Sequence, residues 1–254
     1  MKKTTGFLLV FVSVLVFSQS KSVKKSSVTN IKKSVVKKKP EPKPNPDLVV
    51  VNKDIPVLIP RKKEGKFGYV NQNSKFVIQP EYHIAVFFAE DCNLLNSPNE
   101  KIRKFGTSEY ATVEKNMISY RIDHAGKRVY QYKTADLGKC KSEYKKQQYQ
   151  AYIMSGFYGV IESSKFINPA DYRDYKIYPQ YQYLHIMEGD DISNPMIIAS
   201  YNDKFGVIDV NNKVIIPFEY ADIKRNFSWK LGKMFEVTKD GKNYYYIDSQ
   251  NKTY

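Results

Sequence analysis

"KFGYVNQNSKFVIQPEY" at residues 66–82 and "KFGVIDVNNKVIIPFEY" at residues 204–220 are identical at eight of seventeen positions without a gap. Each copy reads as an aromatic-Gly pair, a short alternating apolar run, a polar turn ending in Lys, a second β-rich run, and then Pro and Tyr. Alignment of these two exposes three weaker copies: "MISYRIDHAGKRVYQY" at 117–132, "GFYGVIESSKFINPADYRDYKIYPQY" at 156–181 and "NYYYIDSQNKTY" at 243–254. The glycine position is held in turn by Gly68, Tyr120, Gly159, Gly206 and Tyr245, in steps of 52, 39, 47 and 39 residues. Periods of this size are the signature of stacked or radially arranged supersecondary units.

Each copy is expected to have an upstream partner strand, as in "PVLIPRKKEGKFGYVN", "EYATVEKNMISYRID", "IIASYNDKFGVID" and "FEVTKDGKNYYYID". A β-branched or aromatic run, a Lys/Asp/Gly turn and a second such run predict a hairpin. Each repeat is therefore expected to be a three-stranded antiparallel meander. In the second turn, "NQNSK", "DHAGK", "DVNNK" and "DSQNK", a leading Asp or Asn bonds to backbone two residues on. Gly126, Asn212 and Asn251 then stand where a left-handed residue is wanted. Gly68, Gly159 and Gly206 follow an aromatic residue inside a strand, which predicts close packing of a ring or backbone, or a bulge. With Pro80, Pro217, Tyr82 and Tyr220 they are assigned to building the repeat. The fold class is all-β, a tandem array of about five meanders over residues 48–254, with a stack and a closed ring both open.

The pattern aromatic-Gly-Tyr/Val-Ile/Val-Asp, turn, Lys-x-Val-Ile-x-Pro-x-Tyr resembles the WG repeat, best at 65–88 and 203–227. Phe67, Tyr158 and Phe205 stand where that family usually has Trp, and Trp229, the sole tryptophan, lies outside the motif. The resemblance implies a β-rich array in an exported bacterial protein with binding or scaffolding roles. It carries over no catalytic residues.

Residues 1–20, "MKKTTGFLLVFVSVLVFSQS", have the basic, apolar and small-residue zones of a secretory signal, with cleavage expected after Ser20. The eleven mainly apolar residues from Phe7 to Phe17 fall well short of the roughly 20 of a membrane-spanning helix. A secreted or periplasmic protein with no transmembrane anchor after cleavage is expected. Residues 21–47 hold nine Lys against Glu41 and Asp47, with prolines at 40, 42, 44 and 46. Such a segment is expected to be an extended linker, either a plain spacer or a contact to an anionic envelope surface. Without it, the body from residue 48 carries 30 basic and 24 acidic side chains, too even a balance for a nucleic-acid groove.

Cys92 and Cys140, the only cysteines, are able to pair in an oxidising compartment, or to stay as two buried thiols. With three scattered histidines they have no metal-ligand spacing, and no cofactor is expected. No phosphate loop, nucleophile elbow or His-Glu-x-x-His occurs. His124 is expected in a turn, and His83 and His185 at strand ends; an envelope hydrolase built on His83 or His185 is the lesser alternative to a non-catalytic protein. The stretch "DYRDYKIYPQYQYLH" supplies Tyr172, Tyr175, Tyr178, Tyr181 and Tyr183. They are read either as an amphipathic platform for a glycan or partner protein, or as wall positions of one long repeat. The expected function is a binding or scaffolding module whose partner is an unidentified envelope protein or glycan. Asn226 and Asn251 lie in glycosylation-type triplets that matter only in a eukaryotic secretory pathway.

Overall fold

A computed structural model describes residues 47–48, 50–141, 146–166 and 174–254; the signal segment, residues 21–46 and Tyr172 lie outside them. The copies become five small antiparallel sheets. The first is β1 (Leu58–Lys63), β2 (Lys66–Asn71) and β3 (Phe76–Tyr82). The second is β4 (Ile84–Phe88), β5 (Ala111–Lys115), β6 (Ile118–Ile122) and β7 (Arg128–Gln131). The third is β8 (Tyr149–Met154), β9 (Phe157–Glu162) and β10 (Tyr175–Tyr181). The fourth is β11 (Tyr183–Ile186), β12 (Ile197–Tyr201), β13 (Lys204–Ile208) and β14 (Val214–Tyr220). The fifth is β15 (Asp222–Ile223), β16 (Phe235–Thr238) and β17 (Tyr245–Ile247).

Local chemistry accounts for the hairpins. Glu64-Gly65, Asn116-Met117, Ser155-Gly156 and Asn202-Asp203 each form a two-residue loop with both φ angles positive, the geometry that matches strand twist. The third of these belongs to "YQAYIMSGFYGVI", which supplies the upstream strand of the copy at 156–181. The second turn is built alike four times. Asn71, Asp123, Asp209 and Asp248 each use Oδ1 to accept from the N–H groups two and four residues on, at 2.8 to 3.0 Å. Ser74, Gly126, Asn212 and Asn251 take the left-handed position.

The strand glycines are explained by a bulge. Pairing is displaced between Phe67 and Tyr69, between Tyr158 and Val160, and between Phe205 and Val207. There the third strand presses its backbone onto the aromatic strand. A Cβ on Gly68 would lie 2.4 Å from Ile78 O, on Gly159 2.5 Å from Ile177 O, and on Gly206 2.7 Å from Ile216 O. Where tyrosine replaces glycine the bulge is gone: Tyr120 pairs directly with Gln131, and Tyr245 pairs with Val237 and has no third strand opposite it among the described residues.

The meanders are not all three-stranded, because the third strand does not stop at its tyrosine. After Tyr82, Tyr181 and Tyr220 the chain steps one residue and enters the next sheet as β4, β11 or β15. One bent strand thus serves two sheets, and buried side chains fill the space between them. Tyr149, Val160 and Ile177 meet Leu184, Ile197 and Ile208. Ile198, Val207 and Ile216 meet Ile223, Phe235 and Val237, and Tyr69, Ile78 and Tyr82 meet Ala85, Val113 and Ile122. A further cluster brings Met234, Tyr246 and Tyr254 of the fifth repeat onto Ile59 and Val70 of the first. Each buried aliphatic side chain contributes roughly 1.5–3 kcal/mol to this stacking. The spatial series runs third, fourth, fifth, first, second, and no buried cluster joins the second sheet to the third among the described residues.

The second sheet meets an insertion where the first meets another sheet. Residues 89–110 form short helices α1 (Cys92–Leu95), capped by the Asp91 side chain, and α2 (Glu100–Arg103), capped by Asn99. The Arg121 side chain, buried in the second sheet, donates to Phe105 O, Ala89 O and Thr107 O at 2.7 to 2.9 Å and to Thr112 Oγ1 at 3.0 Å. The disulfide between Cys92 and Cys140, with Cα atoms 5.3 Å apart, fastens the insertion to the segment after β7. By loop entropy such a closure contributes about 4 kcal/mol.

Candidate binding surfaces

The described tyrosines of this stretch, Tyr175, Tyr178, Tyr181 and Tyr183, do not share one surface. Strand alternation and the bulge send Tyr181 into the core, where it stacks on Phe218 and donates from Oη to Asn212 Oδ1 at 2.6 Å. Tyr175 and Tyr178 meet edge to face, and Tyr175 also meets Tyr152, which in turn meets Phe166; Tyr178 is the exposed member, at 52%. Tyr183, after the strand bends, joins a different group.

That group crosses the third, fourth and fifth sheets. Tyr158 lies 5.9 Å from Tyr183, which lies 6.0 Å from Phe205. The Arg225 guanidinium covers both Tyr183 and Phe205, at 4.6 and 5.6 Å from the ring centres, and is held by Asp222 at 3.7 Å. Tyr244 donates to the other carboxylate oxygen of Asp222 at 2.8 Å and has the Lys224 ammonium 4.2 Å over its ring. Aromatic faces attract cations by their quadrupole, so the rings hold Arg225 and Lys224 in place while leaving their charge partly exposed.

Beside this ladder a groove of about 600 Å³ opens between β8 of the third sheet and β11 of the fourth, lined among others by Tyr149, Gln150, His185, Glu188, Arg225 and Phe227. His185 is half-buried; burial and then the Arg225 charge push its pKa down, against the opposing pull of Glu188. Its imidazole is therefore neutral at pH 7 and is able both to donate and to accept. Such a groove suits a ligand with a polar edge for His185, Gln150 and Arg225 and an apolar part for Tyr149 and Phe227.

The other histidines lie on other sheets. His83 is exposed between β3 and β4, its Nε2 against the Lys66 ammonium and its Nδ1 accepting from Asn116 N–H at 3.4 Å. His124 sits in the β6–β7 turn, but it is half-buried, stacked on Phe88 of the same sheet at 4.2 Å, so the residue serves packing. No cluster of three metal-ligating side chains occurs among the described residues, and no helix among them is long and apolar enough to cross a membrane.

A second cleft, of about 560 Å³, lies where the fifth sheet meets the first; Arg61, Lys62, Phe67, Lys242, Tyr244 and Tyr246 are among its walls. None of Arg61, Lys62, Lys224, Arg225 and Lys242 was singled out from sequence. Lys62, Lys224 and Arg225 stand over aromatic rings of another strand or repeat, and no local motif encodes that.

Residues 67–92 and 205–242 match the protein-family model described as WG containing repeat. They overlap the two copies in which the repeat pattern is most complete. No curated protein matches the chain. One solved structure, titled "Crystal structure of the eukaryotic initiation factor", aligns at 10% identity and TM-score 0.28 over 78% of this chain and 51% of its own. This chain thus spans about half of that structure's length, and a likeness so slight bears on neither fold nor function.

Proposed function

We propose that this is an exported, non-catalytic binding module in which the WG-type sheets form the scaffold and the inter-sheet surface carries recognition. The observation that carries the reading is the groove between the third and fourth sheets, where Arg225 is fixed over Tyr183 and Phe205 beside His185. A fixed cation beside aromatic surface is the composition of an interaction anchor, and nothing in its arrangement requires a chemical step. The partner is a protein of the cell envelope, and the Lys/Pro-rich residues 21–47 act as a spacer between the module and its surroundings.

The test is a crosslinked pull-down with tagged residues 21–254 from the native envelope, in parallel with Arg225→Glu and with a form lacking residues 21–47. Specific capture that survives deletion of the linker and is lost in Arg225→Glu supports the reading. Capture that follows the linker alone would make the lysines the active element and overturn it.

A glycan-binding reading draws on the exposed Tyr178 ring and its neighbours Tyr175 and Tyr152. It predicts loss of retention on immobilised envelope glycan in Tyr178→Ala. Undiminished retention would remove its motive.

A further inference from the structure

Four of the hairpins follow another repeat, and in three of them the end of the bent strand before it covers the outer flank of the first strand: β4 lies on β5, β11 on β12 and β15 on β16. The third repeat is the exception. β7 stops at Gln131, the chain turns through Thr134–Asp136 to the disulfide at Cys140, and β8 pairs with β9 alone. Ser163 N–H donates to Gln148 O at 2.8 Å and a two-residue turn follows Met154, so alternate residues from Gln148 to Met154 aim their backbone groups at β9. The N–H and C=O groups of Tyr149, Ala151 and Ile153 therefore point out of the sheet edge, where they have no hydrogen-bond partner among the described residues.

Proteins guard open edges with charge, proline or a bulge, because such an edge is a template for a further strand. At the edges of other sheets, β1 has Pro60 followed by three cations, and β3, β10 and β14 have Pro80, Pro179 and Pro217. β8, YQAYIM, has none of these: its register with β9 runs without a shift from Tyr149 to Met154, and Ile153 is 55% exposed. Its open flank borders the 600 Å³ groove, and on the other side runs β11, the edge strand of the fourth sheet. Charge narrows what fits between them. Lys146 in the groove wall has no carboxylate partner among the described residues, and Arg225 has only Asp222 at 3.7 Å, while the groove's own acid, Glu188, is held by Lys230 at 3.2 Å. Ile186 and the exposed Phe227 supply apolar wall. The lysine-rich residues 21–47 have the wrong sign for this place.

We propose that β8 is a strand-accepting edge: an extended segment of the partner protein adds along Tyr149–Ile153, sets a carboxylate on Arg225 and Lys146, and lays an apolar side chain against Ile186 and Phe227. This rests on the reading of the groove as the recognition surface and states how the partner is held there.

The probe is a synthetic peptide of residues 83–91, HIAVFFAED, the chain's own cover for β5, titrated into residues 21–254 and followed by residue-resolved amide exchange in NMR spectra. In the free protein the amides of Ala151 and Ile153 should exchange fast and those of Gln150 and Tyr152 slowly; saturable binding should slow the first pair. Changing Glu90 and Asp91 of the peptide to lysine should weaken binding about tenfold. Ala151→Pro removes one outward N–H and none that faces β9, so it should abolish binding while the circular dichroism spectrum stays unchanged. If that variant does not fold, the exchange pattern of the unaltered chain decides. Absence of saturable binding, or binding that leaves Ala151 and Ile153 fast, would overturn the proposal. So would slow exchange at both without peptide, by giving the edge to residues 21–47 if it persists on dilution and to a second copy if it does not. In the envelope pull-down, capture lost in Arg225→Glu but kept in Ala151→Pro would overturn strand addition and leave the groove reading standing. Capture kept in both variants would remove the groove reading as well.

Discussion

The first and second repeats share a hairpin, a turn and a lysine but differ at two consecutive positions, Gly68-Tyr69 against Tyr120-Arg121. In the first, glycine admits a bulged strand that travels on into the next sheet, and Tyr69 is buried against that sheet with its hydroxyl bonded to Val86 O at 2.7 Å. In the second, pairing runs without a shift from Tyr120 to Arg121, the irregularity falling only between Arg121 and Ile122, and Arg121 replaces Tyr69's apolar body with a guanidinium that binds the insertion. A repeat followed by another repeat is apolar on that face, while a repeat at the end of the series needs a cover of its own, as terminal units of repeat arrays do.

The sharpest way to break this comparison is Arg121→Ala, which leaves the carbonyls of Phe105, Ala89 and Thr107 without their donor in a buried site. A loss of about 3–5 kcal/mol in urea unfolding is expected, from a buried network broken on one side. A loss under about 1 kcal/mol would mean that the disulfide alone holds the insertion. Next is Gly68→Ala, whose Cβ meets backbone rather than a flexible side chain; a cost of about 1–3 kcal/mol is expected. Tyr120→Ala, with no bulge opposite, should disturb only the packing of Arg128 on its ring, 4.9 Å away, at roughly 0.5–1 kcal/mol.

A finer contrast runs along the series. Tyr181 and Tyr220 donate across the junction to the left-handed Asn212 and Asn251 of the following repeat, at 2.6 and 2.5 Å. In the second repeat that turn position is Gly126, which has no side chain to accept, and the buried Tyr82 Oη has no hydrogen-bond partner. Tyr220→Phe should therefore cost about 1 kcal/mol, while Tyr82→Phe should cost nothing or stabilise. Gly126→Asn should supply the missing acceptor and raise the melting temperature, provided that the Ile78 methyl, 3.0 Å from the added Cβ, moves aside.

The smallest effect is silent near neutrality. Burial pushes Tyr82 up to about 12, and burial with the Asp91 hydrogen bond does the same for Tyr132. An unfolded tyrosine ionises near 10, so between about pH 10 and 12 the unfolded chain binds fewer protons than the folded one, and stability falls as pH rises. The stability these groups contribute is fully present below pH 10 and is lost through pH 12. A denaturation midpoint unchanged up to pH 11 would contradict their burial.

Much of this fold is legible in residues taken a few at a time. Asn71, Asp123, Asp209 and Asp248 announce a turn because the side chain and the backbone it bonds are neighbours in sequence. The strand glycines announce a close approach because only glycine tolerates one. The candidate surfaces were far less legible: Tyr175 to Tyr183 are closely spaced, yet a bulge and a bend divide them among three environments. Arg225 gains its meaning from Tyr183, more than forty positions away.

By itself the sequence determined the repeat, its hairpins, its left-handed turn positions and the need for glycine at 68, 159 and 206. Each rests on dihedral limits and hydrogen bonds among near neighbours. Only the tertiary structure decided that the fifth sheet stacks on the first and that residues 89–110 cover the second sheet. Those follow from which apolar faces are left to be buried once every hairpin has formed, and that depends on all five repeats at once.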